Sequence, residues 1–149
     1  MAKGGDPQAI HFPRALEGES DFSFSGLKTA VLNHVRKLSD EEREASMADI
    51  AASFQAAVVD ALIGKTIAVI ERGAIDINAV CLAGGVAANQ SLREGLRARV
   101  ENLGLPFHCP SIQYCTDNAA MIGAVGVHRL GRGEVDDFAL DAVPRMSLC

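Results

Sequence analysis

The stretch CLAGGVAANQSLREGL, Cys81 to Leu96, ends an apolar run in two adjacent glycines and then opens a helix. Glycine admits positive φ and carries no Cβ, so it stands where a chain turns sharply or where a ligand lies against the main chain. Both readings are open at Gly84 and Gly85. Ahead of them, Ile75 to Ala83 is short and β-branched at its centre, which predicts a buried strand. Behind them, Asn89 begins a helix through Val100, with Leu92, Leu96 and Val100 on one face.

The same alternation continues outward. Leu105 to Cys109 reads as a second, weaker strand, and Thr116 opens another helical run, TDNAAMIGAVGVHRLG. Strands alternating with helices predict an α/β unit with a largely parallel sheet. Upstream, Leu27 to Lys37 places Leu27, Val31, His34, Val35 and Leu38 at helical spacing, with Ser25 and Gly26 as start residues. Ser39 with Glu42 three residues on is a capping box. It precedes a long helix in which Ile50, Phe54, Val58 and Leu62 recur at four-residue intervals, ending near Gly73. Gly64 inside that helix costs roughly 1 kcal/mol relative to Ala and is expected to mark a close helix crossing. Residues 1 to 22 are rich in Gly, Pro and charge and predict an irregular lead-in.

Bulk properties narrow the class. The chain has 149 residues, 48% hydrophobic and 22% charged, which suits one globular domain. The apolar window Ile63 to Ile70 falls short of the roughly 20 residues that span a bilayer, so no membrane span is expected. The N-terminus lacks an apolar core behind Lys3, so a cytoplasmic address is expected. Cys81, Cys109, Cys115 and Cys149 form no C-x-x-C pair and read as reduced, small buried hydrophobes. A net charge of −5 argues against a non-specific nucleic-acid binder, because phosphates demand clustered cations. Arg93, Arg97 and Arg99 are interleaved with Glu94 and Glu101, as on a solvated helix face.

Three places carry candidate chemistry. In a parallel α/β sheet, ligands sit beyond the carboxyl ends of the strands, against the first turn of the next helix. Ala83 to Asn89 occupies that position, yet it is neither a G-x-G-x-x-G fingerprint nor a P-loop. Asn89 suits either a helix N-cap or contact with a ribose hydroxyl or base edge. Asp117 suits a cap, a favourable charge on the helix dipole, or a metal carboxylate. His11, His34, His108 and His128 show no H-x-x-x-H or H-E-x-x-H spacing. Phe22 and Phe24 alternate with Ser23 and Ser25 in a strand-like pattern, and no serine lies in a G-x-S-x-G elbow.

Together, DFSFSGLKTAV (Asp21 to Val31), AGGVAANQSLR (Ala83 to Arg93) and CTDNAAMIG (Cys115 to Gly123) resemble the C-terminal portion of the tRNA threonylcarbamoyltransferase catalytic subunit family, TsaD. The resemblance implies an α/β fold of the actin/Hsp70/sugar-kinase class (ASKHA, ribonuclease H-like), with a helical segment inserted before the sheet strands. It implies transfer of a threonylcarbamoyl group from threonylcarbamoyl-AMP to the N6 of a tRNA adenosine. By the same resemblance, Asn89 binds the adenylate, Gly84 and Gly85 give it room, and Asp117 coordinates zinc or iron. The metal would orient the threonylcarbamoyl group and polarise its carbonyl. Bacterial members work with TsaB and TsaE, and ATP or an adenylate is the expected ligand.

The resemblance also marks what this chain lacks. Family members take their other metal ligands from an H-x-x-x-H pair in an N-terminal lobe, and that pair does not occur here. Residues 1–149 are therefore expected to form one C-terminal portion without its N-terminal lobe, weak in metal affinity and negligible in catalysis alone. A face that docks on the lobe would favour self-association. Two other readings stand beside the transferase fragment. One is a non-catalytic interaction module, and the other is the family's legacy label of metallo-glycoprotein endopeptidase, for which the histidines are wanting.

Overall fold

The computed structural model describes residues 2–14, 21–73 and 76–141. Its elements are α1 (Ser25–Val35), α2 (Asp40–Glu71), β1 (Val80–Cys81), α3 (Gln90–Asn102), β2 (Phe107–His108) and α4 (Ala119–Gly131), joined by short 3-10 turns. β1 and β2 pair in parallel, with Val80 opposite Phe107 and Cys81 opposite His108. The chain between them carries α3, which makes a β-α-β unit. This mixture of helix and small parallel sheet is compatible with the expected α/β class.

α2 is the spine. Ser39 caps it as the sequence predicts: its hydroxyl accepts from the Glu42 amide, and the Glu42 carboxylate accepts from the Ser39 amide at 2.8 Å. The N-terminal half of α2 packs with α1 and the lead-in around Phe12, Leu27, Ile50 and Ala57. Its C-terminal half packs with α3 and the sheet around Ile67, Leu92, Leu96, Val100 and Phe107. A fully buried leucine such as Leu92 contributes about 1.5–3 kcal/mol. The α3 stripe is therefore what fastens the β-α-β unit to the spine.

Several expectations change. The buried face of α2 runs through Ile50, Ser53, Ala57 and Ile67, while Phe54 is exposed, because small residues let the lead-in and α3 approach closely. Ser53 is buried and accepts from the Ile10 amide at 3.1 Å, so the irregular lead-in is tied to the core by a polar pin. A Cβ built on Gly64 would meet nothing within 4 Å, whereas one on Gly95 would lie 2.7 Å from Ile63 Cδ1. The close crossing thus falls at Gly95 of α3, not at Gly64.

The strand expected from Ile75 to Ala83 is only Val80–Cys81, with Cys81 exposed, because a single neighbour strand pairs with it. Ile75 and Cys149 lie outside the described residues. Cys115 is the buried cysteine and Cys109 is half-buried, so the small-hydrophobe reading holds for Cys115 and not for Cys81. Phe22 and Phe24 do not belong to a strand; α1 begins at Ser25 directly after them. By length and composition α2 is long and apolar enough to cross a membrane, its most apolar 18-residue window having mean hydropathy 1.5. The shorter window missed this because Gln55, Asp60, Lys65 and Thr66 interrupt the apolar run, while Val58, Val59, Leu62, Ile63, Ile67, Val69 and Ile70 outweigh them over a longer stretch. In this structure α2 packs against α1, α3 and the lead-in.

Candidate functional site

The two loops that leave the parallel strands face each other. After β1 the chain runs through Gly84-Gly85 into a 3-10 turn, Gly85–Ala88; after β2 it runs through another, Ile112–Tyr114, into the start of α4. Between them lies a cleft of about 450 Å³. One wall is Ala83 to Gly85, and the other is Tyr114 to Asp117 with Met121. This is the carboxyl edge of the sheet, where α/β folds place ligands.

The two glycines divide the two readings between them. Gly84 sits at φ +82° and ψ 179°, a region essentially restricted to glycine, so the turn itself demands it. Gly85 has no positive φ, and a Cβ there would meet nothing within 4 Å of protein. The backbone does not require glycine at Gly85; an open approach to the main chain is what its missing side chain supplies.

The opposite wall is built by caps. Asn118, not Asp117, is the N-cap of α4: its Oδ1 accepts from the Met121 amide at 3.0 Å, and its Nδ2 donates to the Thr116 carbonyl at 2.8 Å. Thr116 and Asp117 therefore precede the helix, and Asp117 is exposed on the cleft wall. The first-turn N–H groups of α4 lack intrahelical acceptors and favour an anion nearby. A carboxylate in the same cleft opposes an anion, unless a cation lies between them.

Gly84, Gly85 and Asp117 are thus brought together, and Asn89 is not on the cleft wall. Asn89 caps α3, its Oδ1 accepting from the Leu92 amide at 3.2 Å, and its Nδ2 donates to Gln55 Oε1 of α2 at 3.4 Å. Gln55 in turn donates to Ser91 Oγ at 3.3 Å. The four histidines fall on the lead-in, α1, β2 and α4, and His34 packs edge-on to Phe12. Among the described residues no group of three or more His, Cys, Asp or Glu could hold a metal ion. The donors present do not by themselves fit a zinc or iron site.

Sequence reading missed Arg93. It is half-buried, unlike exposed Arg97, which pairs with Glu101 at 3.5 Å and covers the Phe107 ring at 5.1 Å. Its Nη1 donates to the Ala87 carbonyl at 2.7 Å and contacts Cys115 Sγ at 3.4 Å, while Nη2 donates to the Pro110 carbonyl. The one available signal was position: Arg93 lies one helical turn after the Asn89 cap, on the side facing the loops. Tyr114 gave no signal beyond its place beside the Cys115 to Gly123 motif, and Met121 none beyond its place within it.

The chain is 44% identical over 148 residues to the tRNA N6-adenosine threonylcarbamoyltransferase of Caldicellulosiruptor saccharolyticus, covering 99% of this chain and 44% of that protein. It is 48% identical over 152 residues to the protein of the same name from Symbiobacterium thermophilum, covering 99% and 43%. The Geobacter sp. protein is 48% identical over 146 residues, covering 97% and 42%. The chain thus spans less than half the length of these curated relatives. A family model described as TsaD, tRNA N6-adenosine threonylcarbamoyltransferase, matches residues 1–124. With all three motifs and both walls of the cleft inside that match, the chain belongs to the TsaD family of tRNA N6-adenosine threonylcarbamoyltransferases.

Proposed function

We propose that this chain is the adenylate-binding portion of a tRNA threonylcarbamoyltransferase. The observation that supports it best is the shared cleft of Gly84, Gly85 and Asp117 at the carboxyl ends of two parallel strands. In this reading the Gly85 backbone admits the ribose-phosphate of threonylcarbamoyl-AMP, and the first turn of α4 faces its phosphate. Asn89 keeps its cap on the Leu92 amide, and its amide nitrogen exchanges Gln55 for the nucleoside once the ligand is bound. Asp117 contributes one ligand to a zinc or iron ion whose remaining ligands come from outside this chain.

The chain alone is expected to bind without catalysing, since reactants held on one side only do not reach attack geometry. tRNA, TsaB-like and TsaE-like proteins belong to the assembled enzyme in this proposal, as does a cytoplasmic setting. Calorimetric titration with AMP and ATP, with and without a divalent cation, tests the reading. Saturable binding at micromolar to millimolar concentration supports it; a folded chain that binds neither nucleotide overturns it.

A second reading, a non-catalytic interaction module, draws on α4. Ile122, Val125, Val127 and Leu130 are all more than half exposed, and none of the α4 residues is buried. A helix apolar on every side is normally covered. The occupant proposed is the polypeptide that makes up the other half and more of the relatives' length. Sedimentation of the chain with and without that polypeptide distinguishes the outcomes. A stable one-to-one complex abolished by Val127→Glu supports the docking role, and self-association unaffected by Val127→Glu counts against it.

A further inference from the structure

We propose that Arg93 is a positioning residue that sets the separation of the two cleft walls. The walls are loops leaving different strands. Among the described residues, no hydrogen bond runs directly between the 83–89 loop and the 110–118 segment. Arg93 bridges them from behind: one nitrogen reaches the Ala87 carbonyl, 2.7 Å away on the glycine side. The other reaches the Pro110 carbonyl, where the chain enters the segment bearing Asp117. The same guanidinium lies 3.4 Å from Sγ of Cys115, a residue of the cleft wall that is only 3% exposed.

Two features make this more than a surface contact. The guanidinium is a rigid planar fork, so two carbonyls bound to its two ends are held at a set spacing. Its partners among the described residues are all neutral, and no carboxylate is paired with it. A half-buried cation satisfied only by carbonyls and a thiol keeps its positive field. That field acts from behind the wall, on the same cleft that an anionic ligand must share with Asp117. Arg93 therefore holds the walls apart at a fixed width and offsets the Asp117 carboxylate without touching the ligand.

This inference rests on the adenylate reading for its ligand effect, and the test separates the two. Amide hydrogen exchange, thermal unfolding and AMP titration are measured on the whole chain and on its Arg93→Met and Arg93→Lys variants. The expected result is exchange about tenfold faster at Ala87, Asn89, Tyr114 and Cys115, while the α2 and α3 core amides are unchanged. AMP affinity falls about tenfold in both variants, because a lysine cannot bridge both carbonyls. Unchanged exchange in a folded lysine variant overturns the proposal. Faster exchange with unaltered AMP affinity also overturns it, and so does loss of fold in both variants, which would make the role purely structural. If the wild-type chain binds no AMP, the adenylate reading fails by itself, and exchange at the four amides still decides the bridge.

Discussion

Asn89 and Gln55 are joined across two helices: the Asn89 amide nitrogen donates to Gln55 Oε1 at 3.4 Å, while its oxygen caps α3 on the Leu92 amide at 3.2 Å. One side chain is thus committed at both ends of its amide, once to hold a helix and once to fix its own orientation.

Separating those tasks needs two substitutions. Asn89→Ala removes the cap and is expected to cost about 1 kcal/mol of stability. Asn89→Asp retains the cap oxygen, loses the donor and adds a negative charge, so its melting temperature should stay near wild type while affinity for anionic AMP drops by about tenfold or more, a change of about 1.4 kcal/mol per tenfold. Melting curves and calorimetry on both variants check this. Full AMP affinity in Asn89→Asp would assign the residue to capping alone.

The two glycines should behave oppositely. Gly84→Ala forces a side chain into a glycine-only region and is expected to destabilise by about 1–3 kcal/mol. Gly85→Ala meets no protein atom, so stability should move by less than about 0.5 kcal/mol. AMP binding should nevertheless weaken in Gly85→Ala, since the new methyl occupies the approach to the backbone. Chemical denaturation paired with nucleotide titration reads both effects.

Asp117 faces the same cleft as the proposed phosphate, so its effect should depend on cations. Without divalent metal, Asp117→Asn removes a like charge, and AMP affinity should rise by several-fold. With magnesium or zinc present the same substitution should lower affinity, because the carboxylate then helps hold the cation that the phosphate brings. Direct metal affinity of the wild-type chain should be weak, as one carboxylate does not define a coordination geometry. A variant that behaves identically with and without metal would remove Asp117 from the site.

At the start of α2, the capping box makes a stability prediction independent of function. Ser39→Ala should cost about 1 kcal/mol, lowering the melting temperature by about 3 °C. The neighbouring Glu41 carboxyl is held below its ordinary value, first by a backbone N–H hydrogen bond and then by Ser39. A carboxyl lowered in the folded state stabilises above its unfolded value, and that contribution is lost as pH falls through the lower, folded value. Melting of Glu41→Gln should therefore differ from wild type at neutral pH and converge with it in acid. A gap that stays constant down through the acid range would contradict this origin.

Local features were legible in sequence because their causes are local. The Ser39–Glu42 box, the Leu92–Leu96–Val100 stripe and the alternation of strand-like and helical runs depend on neighbours within a turn or two, where spacing and residue type suffice. The three motifs that identified the family are likewise contiguous runs. They marked Gly84, Gly85 and Asp117 as candidates without showing that they share one cleft.

What required the tertiary structure was every relation across the packing. Spacing alone put Phe54 on the core face and Gly64 at the crossing. The actual buried stripe was decided by which helix lies against α2, and that is a property of two surfaces. The distinction between Gly84 and Gly85 likewise needed φ values and neighbouring atoms. Arg93 looked like any basic residue on a charged helix, because its partners Ala87, Pro110 and Cys115 are two carbonyls and a thiol with no charge pattern to betray them. Sequence determined the elements and the family; folding decided which backbone carbonyls an arginine would meet, since those groups are identical in every residue and only position distinguishes them.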